Sequence, residues 1–164
     1  MTGNTVRLGR ILGVEVKLDY SWFIIFVLLT WSLAGQYFPS MYGGWSTGLY
    51  WTMGIMTSLL FFASVLAHEL ALSLISQANG VPVHDITLFI FGGAAQISEE
   101  PRTAGEEFLM ALAGPLTSLM IAALFALLWL ISRTASPPLH ALASWLAGIN
   151  LSLALFNLIP GFPV

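Results

Sequence analysis

The chain of 164 residues contains no cysteine and very little charge: five Lys and Arg together and eight Asp and Glu. The missing thiols exclude disulfides and thiolate metal ligands, so any metal would have to be held by His nitrogen and carboxylate oxygen. The scarce charge matters more. An ordinary soluble domain carries about 25% charged residues, and at 8% this chain has too few to clothe a water-facing surface. The net charge of −3 comes from few groups and no basic cluster exists, which excludes nucleic acid as a partner. No internal repeat interrupts the sequence, and its one low-complexity piece is an Ala/Leu-rich apolar run.

What the chain has instead is apolar length. Hydrophobic residues make up 57% of it, with a mean hydropathy of +0.86. Four runs are long enough to cross a bilayer, for which about 18 apolar residues suffice: 20–36, 48–78, 106–132 and 139–158. Pro39, Asn79-Gly80, the "ASPP" stretch and Pro160 punctuate their ends. The second run would be about 46 Å long as a helix, longer than the ~30 Å hydrocarbon core, so it must tilt or emerge. Residues 1–19 form a polar leader too long for a signal peptide, with no small-x-small cleavage site after the first run. All five basic residues avoid the apolar cores. An N-terminus in the cytoplasm puts Arg7, Arg10, Lys17 and Arg102 inside and only Arg133 outside, the arrangement that the positive-inside rule favours. Most of the six tryptophans fall near the ends of the runs, as interfacial anchors do.

Between the second and third runs lies "VPVHDITLFIFGGAAQIS" (81–98), rich in β-branched and aromatic residues and bent at Gly92-Gly93. It is too short and interrupted to span as a helix, and it reads as an extended or re-entrant hairpin covered by protein. Its edge could hold a peptide as an added strand, or it could simply plug the bundle. His84 and Asp85, at its polar start, read as a surface loop pair. The expected fold is an all-α polytopic membrane protein with about four transmembrane helices and a short membrane-associated β-hairpin.

"LAHELALSLI" (66–75) carries the only His and Glu well inside an apolar run. Ionisable groups at such depth are costly and mark function by default. The chemistry that uses a helical His-Glu pair is metal-assisted hydrolysis. Two His four residues apart reach one zinc ion, and the Glu beside the first takes a proton from the zinc-bound water. His68 suits the metal and Glu69 the base, but the place of the second His holds Leu72, which has no lone pair. Ser73 is a poor substitute and points away. "LAGPLTS" (112–118) puts Gly114-Pro115 inside the third run, where a kink is expected. "FNLIPGFPV" (156–164) ends the fourth run with Asn157 at membrane depth. Its side-chain amide could orient a peptide carbonyl or donate to an oxyanion.

In this order, "VRLGRILGVEVKLDYSW", "LAHELALSL", "LFIFGGAAQI", "ALAGPLTS" and "NLIPGFPV" resemble the polar leader, His-Glu-x-x-His helix, membrane hairpin, third helix and Asn-x-x-Pro motif of the site-2 protease family of intramembrane zinc metalloproteases. The resemblance runs through nearly the whole chain. It implies Glu69 as catalytic base, His68 as metal ligand and Asn157 as a substrate-orienting or oxyanion-side residue, and the hairpin's Gly92 and Gly93 are expected to bind substrate beside it. It implies zinc as cofactor, the lipid bilayer as surroundings, transmembrane proteins or peptides as substrates, and a multi-pass protein of the cell membrane. Residues 20–164 would be the metalloprotease-like core, truncated before the aspartate ligand that the family carries directly after the position of Val164. With Leu72 and no aspartate, one ligand of three remains, so the chain as written is expected to release zinc and to be inactive. The rival reading is a non-catalytic protein that grips transmembrane segments without cutting them.

Overall fold

The structure, a computed structural model, describes residues 3–159. Within them four helices are long and apolar enough to cross a membrane: 20–41, 47–78, 104–131 and 137–158. Their starts are written in short polar residues. Asp19 accepts a hydrogen bond from Ser21 N at 2.9 Å and opens α1, Tyr20–Ser32. Ser46 accepts from Leu49 N and opens α3, Thr47–Ala78. Thr103 accepts from Glu106 N and opens α4, Ala104–Ile131, with Glu106 and Glu107 in the first turn, where the helix dipole favours acid. Ser136 opens α5, Pro137–Leu158. The prolines of "ASPP" thus start this helix, because a missing N–H is harmless in the first turn. α3 ends at Asn79, and Gly80 takes the left-handed conformation (φ +78°) that terminates a helix.

The first span runs past its expected end at Gln36. A π-helical turn, Leu33–Tyr37, leads into a short α2, Phe38–Met41. Pro39 sits in the first turn of α2, where it breaks nothing.

The expectation of an all-α fold is corrected. The leader is folded as β1, Thr5–Ile11, and β2, Val14–Asp19, and the expected hairpin is present as β3, Val83–Phe89, and β4, Gly92–Ile97. The four make one mixed sheet in the order β1-β2-β3-β4, antiparallel within each hairpin and parallel between β2 and β3. The reason lies in alternation: Val14, Val16 and Leu18 face inward and are buried, whereas Glu15 and Lys17 between them are half-buried. Val14 and Leu18 join Ile86, Leu88 and Val65 of α3 in one apolar cluster. Lys17 Nζ lies 3.1 Å from Asp85 Oδ2, tying β2 to β3. His84 and Asp85 are therefore strand residues and not a loop pair. Asp85 is buried in this ion pair, while His84 is exposed and bonded to Ser98 Oγ at 2.7 Å.

The helices meet through small and polar side chains, as helices in lipid must when no hydrophobic force separates them from the solvent. Thr30 Oγ1 donates to Ser58 Oγ at 3.0 Å between α1 and α3. A Cβ on Gly54 would stand 2.9 Å from that of Ala34. A second apolar cluster (Leu33, Phe38, Met53, Ala141, Leu142, Leu146) closes the end of the bundle away from the sheet.

Candidate functional site

α3 carries His68 and Glu69 into the interior at the level of the sheet, where they are only 2% and 6% exposed. Two glycines make room for them. On α4, a Cβ at Gly114 would overlap the His68 ring, standing 2.7 Å from its Cδ2 and Cε1 and closer still to Nε2. On β4, a Cβ at Gly93 would stand 2.7 Å from Glu69 Cγ. α4 runs unbroken through Pro115, so Gly114 of the expected kink serves close approach. His68 Nδ1 lies 2.8 Å from the buried Ser118 Oγ, one turn further along α4. The backbone N–H of Ala95 on β4 is directed at the Glu69 carboxyl.

The residues singled out in the sequence converge. His68, Glu69, Gly92, Gly93 and Asn157 line one cavity of about 400 Å³, completed by apolar side chains such as Phe89, Phe91 and Leu153. Phe91, 89% exposed, stands at its mouth on the hairpin turn. Asn157 Nδ2 donates to Leu153 O at 2.7 Å, which leaves its carbonyl and second N–H for another partner. Leu72 does not share this cavity. It lines a neighbouring one of about 200 Å³ between α3 and α4, with His68, Met110, Gly114 and Pro115. His68 thus stands in the wall between the two.

Zinc needs three protein ligands in a catalytic site. Among the described residues no three His, Cys, Asp or Glu side chains gather around one point. Position 72, one turn after His68, presents hydrocarbon, and His68, with Nδ1 bonded to Ser118, could offer a metal only its Nε2. The described residues do not fit a catalytic zinc ion. The "PGFPV" half of the last motif lies outside the described residues, and the position expected for the aspartate follows Val164.

Sequence pattern does not single out Ser118, nor Asn150 and Ser64, whose Nδ2 and Oγ lie 3.2 Å apart between α5 and α3. Ser118 closes the "LAGPLTS" stretch that was noticed for its Gly-Pro. Asn150, like Asn157, is an amide inside an apolar helix, and that was the available signal.

Residues 56–135 match the family model of peptidase family M50. Over 98% of its length the chain is 42% identical to sll0528 of Synechocystis sp. and 39% identical to Rip3 of Mycobacterium tuberculosis, both of which carry zinc metalloprotease names. It spans about two fifths of the length of these relatives (42% and 41%). The solved site-2 protease from Methanocaldococcus jannaschii superposes with a TM-score of 0.63 at 26% identity, over 97% of this chain and 66% of that one. Together the family model, the relatives and the solved structure support assignment of the chain to peptidase family M50, the site-2 protease family.

Proposed function

We propose that this chain is the membrane core of a site-2-protease-like protein whose cavity holds an extended segment of a membrane-spanning partner, and that with Leu72 it does not hydrolyse that segment. The observation that carries this reading is the separation of the two cavities. On this reading the cavity lined by Glu69, Gly92, Gly93 and Asn157 is the substrate side, and the neighbouring one, where Leu72 stands beside His68, would be the metal side.

β4 is the outer strand of the sheet, and the N–H of Ala95 on it faces Glu69. A peptide added along β4 would form main-chain hydrogen bonds and pass between Glu69 and Asn157. The Asn157 amide would orient a peptide carbonyl. Glu69, the base that the family resemblance implies, lines the same cavity. Residues 1–19 are a cytoplasmic leader folded onto the core, and 20–164 the core. On this reading the N-terminus, the sheet and the cavity share the cytoplasmic side, together with Arg7, Arg10, Lys17 and Arg102.

The deciding experiment compares the chain with its Leu72→His variant, each with the family's aspartate present downstream of Val164. Zinc by elemental analysis and cleavage of a transmembrane peptide are measured in liposomes. Zinc and cleavage are expected only with His at position 72. Cleavage by the Leu72 protein would overturn the inactive reading. Absence of zinc from both would overturn the metalloprotease ancestry of the site.

A second reading, a protein that captures transmembrane segments as its function, is favoured by a cavity of about 400 Å³ that is lined by Glu69 and Asn157 but not by position 72. Crosslinking of a transmembrane peptide to the unmodified chain supports it, and failure of all capture removes it.

A further inference from the structure

Asn150 is an amide deep in α5, 1% exposed. Its Nδ2 donates to Ser64 Oγ of α3 at 3.2 Å and to Leu146 O of its own helix at 2.9 Å. The Leu146 carbonyl can only accept, so the amide orientation is determined. Ser64 Oγ in turn donates to Leu60 O at 2.9 Å. The Oδ1 of Asn150 is buried and has no partner among the described residues.

From this geometry we infer that Ser64 and Asn150 are a positioning pair: their hydrogen bond sets the axial register of α5 against α3 and so aligns Asn157 with Glu69 across the peptide cavity. This rests on the reading of that cavity as a peptide channel. Asn150, Leu153 and Asn157 fall at i, i+3 and i+7 on one face of α5, and the last two line the cavity. Asn157 lies about 10 Å along α5 from Asn150, and Glu69 about 7.5 Å along α3 from Ser64, at 1.5 Å per residue. Phe61 meets Trp145 at 5.9 Å, Ser64 meets Asn150, and Glu69 shares the cavity with Asn157. The two helices therefore run parallel, and a slip at one level is carried to the next.

Bundle stability alone does not account for the amide. A bare Oδ1 inside lipid-embedded protein is a penalty, and leucine at position 150 would fill similar space without it. An apolar α5 among apolar neighbours can slide along its axis at little penalty. A directional bond between two named atoms cannot follow such a slide, which is how single buried amides specify register elsewhere.

The absence of cysteine makes site-specific spin labelling clean. Labels at Leu74→Cys and Leu155→Cys, both on exposed faces, report α3 against α5. Labels at Leu74→Cys and Leu109→Cys report α3 against α4 as a control. Pulsed-EPR distances are measured in liposomes, together with crosslinking of a transmembrane peptide of an M50 substrate type. Asn150→Leu is expected to keep the fold and the α3–α4 distance, to shift or broaden the α3–α5 distance, and to lower peptide capture roughly threefold, the size of a mean interhelical hydrogen bond in lipid. Ser64→Ala should do the same without adding to Asn150→Leu, and Ser64→Thr, which keeps the hydroxyl, should restore both readouts. An unchanged α3–α5 distribution in Asn150→Leu overturns the proposal. So does broadening of both pairs, which would make the amide a general packing residue. Absence of peptide capture by the unmodified chain would count against the peptide channel, while the distances would still decide the register.

Discussion

Ser118 Oγ lies 2.8 Å from His68 Nδ1, and the two buried groups join α4 to α3 beside the cavity. An imidazole carried this deep needs a partner for each ring nitrogen that lipid cannot serve. Ser118→Ala would leave Nδ1 buried without one. The expected loss is about 1–2 kcal/mol, read as unfolding in mixed micelles under increasing denaturing detergent. Unchanged stability would show that the bond is not formed in the protein.

Gly114 is the notch that admits the His68 ring. Gly114→Ala puts a Cβ inside that ring's contact distance, and α3 and α4 must separate to relieve it. Overpacking of this kind costs about 1–3 kcal/mol. Gly105→Ala, on the same helix with its nearest neighbour atom at 3.9 Å, is the control and should leave unfolding nearly unaltered. Equal effects of the two would count against the close approach.

Gly93→Val tests the other wall. Its side chain would meet Glu69 Cγ, Leu88 Cδ2 and Val65 Cγ1, already 2.7, 3.2 and 3.3 Å from a bare Cβ. β4 must move off α3 and narrow the channel. Capture of a transmembrane peptide by photo-crosslinking should fall several-fold, while far-UV circular dichroism stays the same. Undiminished capture would show that the peptide does not pass along β4.

Asp19 joins the sheet to the membrane helix. The hydrogen bonds from the Ser21 hydroxyl and backbone N–H hold its carboxyl below the usual value of 3.8. A depressed carboxylate stabilises the fold above its unfolded value, and that contribution disappears as pH falls through the folded one. The first turn of α1 should therefore loosen below about pH 4. Hydrogen exchange at Ser21 and Trp22 should rise there, and Asp19→Asn, which can still cap, should remove the pH dependence. Exchange independent of acid in the unmodified chain would exclude this role.

Lys17–Asp85 ties the leader hairpin to the site hairpin at side-chain exposures of 26% and 11%. Lys17→Met leaves the buried Asp85 without its cation and is expected to weaken the sheet by about 1–3 kcal/mol and to make β1–β2 more sensitive to limited proteolysis. If cleavage of the leader does not change, the Val14, Val16 and Leu18 face alone holds it.

The spans, their caps and the paired residues at 68 and 69 were legible because each rests on neighbours in sequence. A run of apolar residues, a Ser or Asp before it, or a charge inside it has the same meaning in any fold. The leader was not legible as strands: its alternation at Val14, Val16 and Leu18 is short, and residues 15–18 pair in parallel with β3, seventy positions away. The part Gly114 plays as a notch for His68 was not legible, because the sequence cannot say what a glycine is near. Ser118 looked like any small helix residue until α4 was packed on α3. His84 and Asp85 looked like a loop because neither Lys17 nor Ser98 is a neighbour along the chain.

Composition and local pattern alone determined that this chain enters a membrane, where its helices start, which two ionisable residues go to depth and that the position after the next turn is hydrocarbon, since all of these depend on side-chain chemistry at fixed spacing. Tertiary structure decided that Glu69 faces the hairpin and Asn157, that Leu72 opens on a separate cavity, and that Ser118 and Ser64 supply the polar partners. Those relationships exist only once helices distant in sequence are set side by side, and in lipid that setting is made by a few notches and hydrogen bonds between particular atoms, to which sequence pattern is blind.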